Sequence, residues 1–433
     1  MKLVHHNVET NGIGYVTMMF DLSGIREELL PYVGILQSVM GIIDTSNYEY
    51  GELFNEINVH TGGIGTSLEL YTDVTKVKEK EFRATFEMRG KALYPKMDVL
   101  FTMMREILME SRLDDEKRLK EILAMLKSRL QMSFLSSGHT TAALRALSYT
   151  SPMAKFKDDT DGIGFYETVK LIEEDFDGQK ETLIRNLKEI AQRIFRTDNL
   201  MLSYTSAEEG LEPMEKAFTS VKDTLHSEAE VPAEACVLHC RKRNEGFKTS
   251  SKVQYVARVG NFIDGGQEYR GALQILKVIL GYDYLWQNIR VKGGAYGCMS
   301  NFNRIGEAYL ISYRDPNLER TMEVYEGVVD YLKNFDVSDR DMNKFIIGTM
   351  SSLDRPKNPS AKGSRSMNLY MNRVSEEMLR TERGQILDAR QEDIRALADV
   401  VQAMLDQRLL CVIGSEEKIE EQKDMFLEVR TLC

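Results

Sequence analysis

The chain has 433 residues, 42% apolar and 28% charged, with a formal net charge of -11. That length exceeds one ordinary core and predicts two domains or more. The acidic balance argues against nucleic acid or an anionic membrane as partner, because phosphate binding needs basic surface.

No window approaches eighteen uncharged apolar residues, so no membrane span is expected. Met1 to Asn7 lacks a basic region followed by an apolar run, and no signal peptide is expected there. Five cysteines (Cys236, Cys240, Cys298, Cys411 and Cys433) are few, odd in number and unevenly placed. They suit reduced thiols in a cytoplasm better than a disulfide framework.

In chain order, a strand is expected over Ile13 to Phe20, then a helix from about Glu27 to Ile43 with Pro31 in its first turn. A second helix, Tyr48 to Ile57, leads to the glycine-rich turn Thr61 to Gly65, and strands follow at Thr66 to Tyr71 and Lys80 to Arg89. Met97 to Met109 reads as a helix with Met103, Met104 and Ile107 on one face. Such a methionine stripe is a core face or an adaptable peptide surface. Asp114 is placed to cap the next helix, which runs to about Met132, and another begins near Thr140. Lys180 to Phe195 is helical, Leu200 to Tyr204 is a strand, and a short helix follows Glu208. Val221 to Glu234 is charged, contains Pro232 and lacks a clear period, which marks a linker.

The pattern then restarts. Strand Lys252 to Val259 echoes Gly14 to Phe20, and helix Glu268 to Leu280 echoes Glu27 to Ile43. Ser206-Ala207-Glu208-Glu209 is matched by Gly414-Ser415-Glu416-Glu417, each after an apolar strand. The order of elements agrees in both copies, which predicts two homologous units. The fold class is α+β, each unit a mostly antiparallel sheet with helices packed on one face. The expected boundaries are 1–222 for the first unit, 223–235 for the linker and 236–433 for the second.

Chemistry concentrates in Ile289 to Gly297. Arg290 is a fixed cation with a planar fork of donors, and Tyr296 is a phenol that donates one hydrogen bond. Gly293 and Gly294 between them permit strained backbone and a close approach by another chain. A helix bearing the single tryptophan leads in, and the strand Ala308 to Tyr313 follows. Both side chains would then flank one turn, aimed at a peptide-sized ligand. The alternative is an arginine paired to a surface carboxylate and a tyrosine half-buried in a core. Asn58 and Ile64 stand at the matching places of the first copy, which assigns that copy a scaffolding role.

A tandem of such units, with an arginine six residues before a tyrosine across a Gly-Gly turn, resembles the insulinase/pitrilysin family of zinc peptidases. Thr10 to Ile13, Phe20 to Ser23, Glu27 to Tyr32 and His60 to Gly63 resemble the third domain of its presequence-protease branch, and Arg290 to Gly297 the substrate clamp of its fourth. The family's zinc motif, His-x-x-Glu-His, is absent: the corresponding helix reads Tyr32 to Met40 without histidine, and no two of the six histidines have that spacing. Cys236, His239 and Cys240 form a metal-like cluster, but in an extended segment His239 points away from the two thiols, and buried thiols in a strand are expected instead.

The resemblance implies the C-terminal, non-zinc half of an oligopeptidase that hydrolyses unfolded peptides in a closed chamber. Zinc would be bound by the N-terminal half or a zinc-bearing partner subunit, with none in this chain. Arg290 would hold a substrate carbonyl, Tyr296 the oxyanion, and Gly293 and Gly294 would let the peptide pass. The alternative is a non-catalytic peptide-binding or scaffold subunit of a related assembly.

Overall fold

The computed structural model describes residues 2–226 and 237–432. Strands β1 (Lys2–Asn7), β2 (Ile13–Asp21), β3 (Ile64–Tyr71), β4 (Arg83–Leu93) and β5 (Leu200–Ser206) form one sheet, in the order β1-β5-β2-β4-β3. Strands β6 (Glu245–Thr249), β7 (Tyr255–Asn261), β8 (Gly297–Phe302), β9 (Glu307–Tyr313), β10 (Leu409–Ser415) and β11 (Glu428–Thr431) form the second, ordered β11-β6-β10-β7-β9-β8. Apart from β11, the second order repeats the first strand for strand. In each copy the first strand pairs parallel with the last, and the other neighbours within the repeat run antiparallel. The duplicated α+β architecture read from the sequence is therefore present.

The first unit carries helices α1 (Leu30–Val39), α2 (Tyr50–His60), α3 (Met97–Glu110), α4 (Glu116–Leu147), α5 (Pro152–Asp161), α6 (Ile163–Glu174), α7 (Phe176–Ile194) and α8 (Leu211–Lys222). The second carries α9 (Ala272–Tyr282), α10 (Glu319–Glu326), α11 (Val328–Lys333), α12 (Asp339–Leu353), α13 (Pro359–Met371), α14 (Glu376–Leu387), α15 (Gln391–Arg395), α16 (Leu397–Leu405) and α17 (Glu416–Glu421). Met97, Met103 and Met104 are buried, so the methionine stripe of α3 is core.

Strand alternation divides the side chains between two cores. Val256, Leu310, Leu410 and Val412 point into the helices of their own unit. Tyr255, Ala257, Ile311, Leu409, Cys411 and Ile413 point the other way, into a core shared with the first unit. The element that covers this second face is α4, which packs on β7, β9 and β10. Asp115, not Asp114, caps it by accepting from Arg118 N–H at 2.9 Å. It does not stop near Met132: one long helix continues to Leu147 through a kink at Ser137 (φ -131°, ψ 26°). Tyr255 explains the kink, since its hydroxyl donates to the Leu135 carbonyl and its ring fills the space beside Gly138, where a Cβ would clash.

Most of the expected linker lies on residues 227–236, outside the described residues. Cys236 is among these, and the segment that follows, 237–240, is not a strand. His239 is exposed there and bonds Glu27 at 2.7 Å, while Cys240 is half-buried. The expectation of strand thiols is corrected for Cys240: no strand pairing forms in that segment, and an ion pair to the first unit fixes His239 instead.

Glu307 on β9 seals another contact between the units, accepting from Ser151 Oγ at 2.6 Å and Asn303 Nδ2 at 3.2 Å. Burial raises its carboxyl above the usual range, so ionisation at neutral pH costs stability. Glu307→Gln keeps an acceptor for Ser151 and removes that charge. Thermal unfolding at neutral pH is expected to show a gain of about 1 kcal/mol, shrinking as pH falls through the raised native value, where Glu307 is itself neutral.

Candidate functional site

Arg290 lies on a π-helical turn, Trp286–Val291, closed by Lys292 N–H to Gln287 O at 2.9 Å. Such turns widen the helix by one residue and recur at functional sites. Here the turn lays the Arg290 guanidinium over the Trp286 ring, 4.2 Å from its centroid. The chain then doubles back: Gly294 N–H bonds Arg290 O at 2.9 Å and Ala295 N–H bonds Ile289 O at 3.1 Å. Gly294 has φ +79°, and a Cβ on Gly293 would strike the Ile289 carbonyl oxygen, so both glycines are required by the turn itself. Asn317 Nδ2 fixes the turn from outside through Gly293 O at 2.6 Å.

The reversal delivers Tyr296 to the start of β8, the outer strand of its sheet. Its N–H forks between the carbonyls of Tyr313 (3.0 Å) and Arg314 (3.3 Å), and Arg314 takes the left-handed φ of 48°. This irregularity at the strand end turns Tyr296 outward, where it is 64% exposed. Its ring lies 5.7 Å from the Arg290 guanidinium and edge-on to Tyr313 at 5.7 Å. Among the described residues Arg290 has no hydrogen bond from its side chain and no ion pair, and the Tyr296 hydroxyl has no partner. The two predicted side chains thus flank one glycine turn with their donors unspent, and neither is buried in a core. The paired-arginine alternative does not describe this site.

Nearby groups were not legible as site residues. Tyr313 packs against Tyr255 (5.7 Å between ring centroids) and against His139 of α4 (4.8 Å), while the Arg314 guanidinium sits 5.4 Å from the Tyr313 ring. Cys298, on β8, is a poor nucleophile: burial pushes its thiol up to about 11, against a weaker opposite pull from Arg290. At the equivalent place of the first unit, Asn58 spends its amide on Phe54 O within α2, and Ile64 packs on the core. That copy offers no donor pair.

Residues of this chain do not fit a zinc ion. The face of α1 that meets the core carries Val33, Leu36 and Val39, and among the described residues no group of three histidines, cysteines or carboxylates is placed to hold a metal. Among them, too, no helix is long and apolar enough to cross a membrane.

Comparison with known proteins agrees with this architecture. A family model for the peptidase-associated domain of M16 peptidases, subfamily C, matches residues 1–172, and "PreP C-terminal domain" matches residues 244–416. The chain belongs to the M16 peptidase family, the insulinase/pitrilysin family of the sequence resemblance. Within it, the chain corresponds to the C-terminal half of presequence-protease-like members. It is 37% identical over 430 residues to Protein HypA of Clostridium perfringens, covering 99% of this chain and 44% of that protein. It is 27% identical to presequence protease 1, chloroplastic/mitochondrial, of Arabidopsis thaliana, covering 99% of this chain and 40% of that one. The chain therefore spans less than half the length of these curated relatives. A solved peptidase M16 inactive domain from Pseudomonas fluorescens shares the fold, with a TM-score of 0.61, 13% identity and coverage of 95% of this chain and 94% of that chain.

Proposed function

We propose that this chain is the non-zinc half of a zinc-dependent oligopeptidase that cleaves unfolded peptides in a closed chamber. The zinc and the general base would belong to an N-terminal half or to a zinc-bearing partner subunit. Arg290 donates from its planar fork to a backbone carbonyl of the peptide near the cleaved bond. Tyr296 donates its hydroxyl to the carbonyl oxygen of that bond as it gains negative charge. Gly293 and Gly294 present no side chain, so an extended peptide passes close to the turn. Because both donors act from one wall, they count only when the other half closes over the peptide. Domain boundaries at 1–222 and 236–433 fit this reading, with the first unit as scaffold. The free thiols Cys240, Cys298 and Cys411 support a reducing, cytoplasmic setting.

The observation that carries the reading is an exposed, unpaired guanidinium held on Trp286 beside an unpartnered phenol. The test is reconstitution. Alone, the purified chain is expected not to hydrolyse unfolded peptides. Adding a zinc-bearing N-terminal half from an M16 relative is expected to yield chelator-sensitive cleavage. Chelator-sensitive cleavage by this chain unaided would overturn the proposal.

A further inference from the structure

One charged residue at this site remains without a role. Arg314 is exposed, yet its backbone holds a left-handed φ of 48°, a conformation costly for a side chain with a Cβ. The guanidinium is not loose: it bonds the Tyr255 hydroxyl and lies beside the Tyr313 ring. Its neighbour Asp315 offers no counter-charge, being fully buried and turned inward to accept from Thr321 Oγ1 at 2.6 Å and Asn317 N–H at 2.9 Å. Lys292 across the turn reaches only Asn288 Oδ1, at 3.4 Å. Among the described residues, Arg290, Lys292 and Arg314 thus form no ion pair, in a chain whose net charge is -11.

The arrangement is linear: Arg290, then the ring of Tyr296 at 5.7 Å, then Tyr313 a further 5.7 Å on, then Arg314 at 5.4 Å. Two aromatic rings are flanked at both ends by cations that lack anions. A neutral peptide backbone uses the donors at one end and leaves the Arg314 end unpaired. We propose that Arg314 reads a carboxylate of the bound peptide, roughly two or three residues of extended chain from the bond that Tyr296 attends. Arg314 is a specificity residue in this scheme, and the left-handed backbone is what aims it along the ring pair. The inference rests on the peptide-site reading above and adds to it the chemistry of the preferred peptide.

Trp286 is the single tryptophan and lies against Arg290, so its fluorescence reports on this site alone. The purified chain is titrated with short peptides capped at both ends, one set neutral and one carrying a single aspartate at successive positions. A third set is neutral with a free C-terminal carboxylate. The best carboxylate-bearing peptide is expected to bind about tenfold tighter than its neutral parent, as one charge-assisted contact allows. A gain confined to the third set would make the chain terminus the group that is read. Arg314→Gln, and Arg314→Gly, which relieves the backbone strain and guards against a folding artefact, are expected to abolish the gain while leaving neutral peptides unchanged. Equal affinity for all sets, or a gain that survives both variants, would overturn this inference and leave the peptide site standing. If calorimetry and fluorescence detect no peptide of any set, the peptide-site reading itself fails, and this inference with it.

Discussion

Tyr296→Phe is expected to cut the turnover of the reconstituted two-half enzyme by about 10²–10³ while leaving KM nearly unchanged. The substitution deletes one hydroxyl and keeps the ring, so the edge-on contact with Tyr313 and the neighbouring Arg290 guanidinium are retained. What is lost is a donor that counts only once charge has built on the reacting oxygen. Such a loss falls on kcat rather than on binding. Arg290→Lys supplies the contrast. It keeps the charge but gives up the planar fork lying over Trp286, and so is expected to raise KM through poorer placement of the peptide. Steady-state kinetics on the two variants separate the roles. A Tyr296→Phe enzyme with unaltered kcat would reduce this tyrosine to packing, and a peptide-binding subunit would then be the better description.

How far this site could be read without coordinates depended on the range of the contacts involved. Arg290, Gly293, Gly294 and Tyr296 lie within one turn, so spacing and residue type carried them. Tyr313 and Arg314 reach Tyr296 through β8, a strand that does not stand out: Gly297 to Phe302 mixes small, polar and apolar residues and is covered on only one side. Its register against β9 is what sets Tyr313 opposite Gly297. His139 arrives from the other unit, on a helix whose kink depends on Tyr255, and no local pattern announces that meeting. The fold divides in the same way. β2 and β7 were legible as the cores of a repeat because their own side chains are apolar. β1 (Lys2–Asn7) and β6 (Glu245–Thr249) were missed because they are short and polar, and parallel pairing to β5 and β10 makes them strands. Helices α5 and α6 were missed for a similar reason: Pro152 to Gly164 is rich in charge and glycine, and its buried acids find partners only in the folded chain.

One of those acids belongs to a network whose disruption should be felt by the whole chain. Arg145 of α4 bonds Asp158 of α5 at 2.6 Å and Glu245 of β6 at 2.5 and 2.9 Å, and Tyr149 donates to Glu245 at 3.0 Å. Arg145 is 5% exposed and both acids are fully buried, so Arg145→Ala would strand two carboxylates in a dry interior between the units. Breaking a buried pair typically costs 3–5 kcal/mol. Arg430 at 3.3 Å and Arg243 at 3.9 Å still face Glu245, so the lower end, about 3 kcal/mol, is expected in urea unfolding at neutral pH. The pH dependence has a definite sign. Burial alone would raise the Glu245 carboxyl, but Arg145 and Tyr149 outweigh it and hold it below its ordinary value of 4.5. A depressed carboxylate contributes stability that is complete above 4.5 and is lost as pH falls through the lower native value. In Arg145→Ala the same carboxyl is no longer held down, and protonation relieves its buried charge. The gap between wild type and variant should therefore be widest at neutral pH and narrow in acid. Arg145→Met combined with Glu245→Gln is expected to recover part of the loss, since two neutral groups replace an uncompensated ion. An unfolding midpoint that Arg145→Ala leaves unmoved would mean that the apolar core around α4 joins the two units without help from these charges.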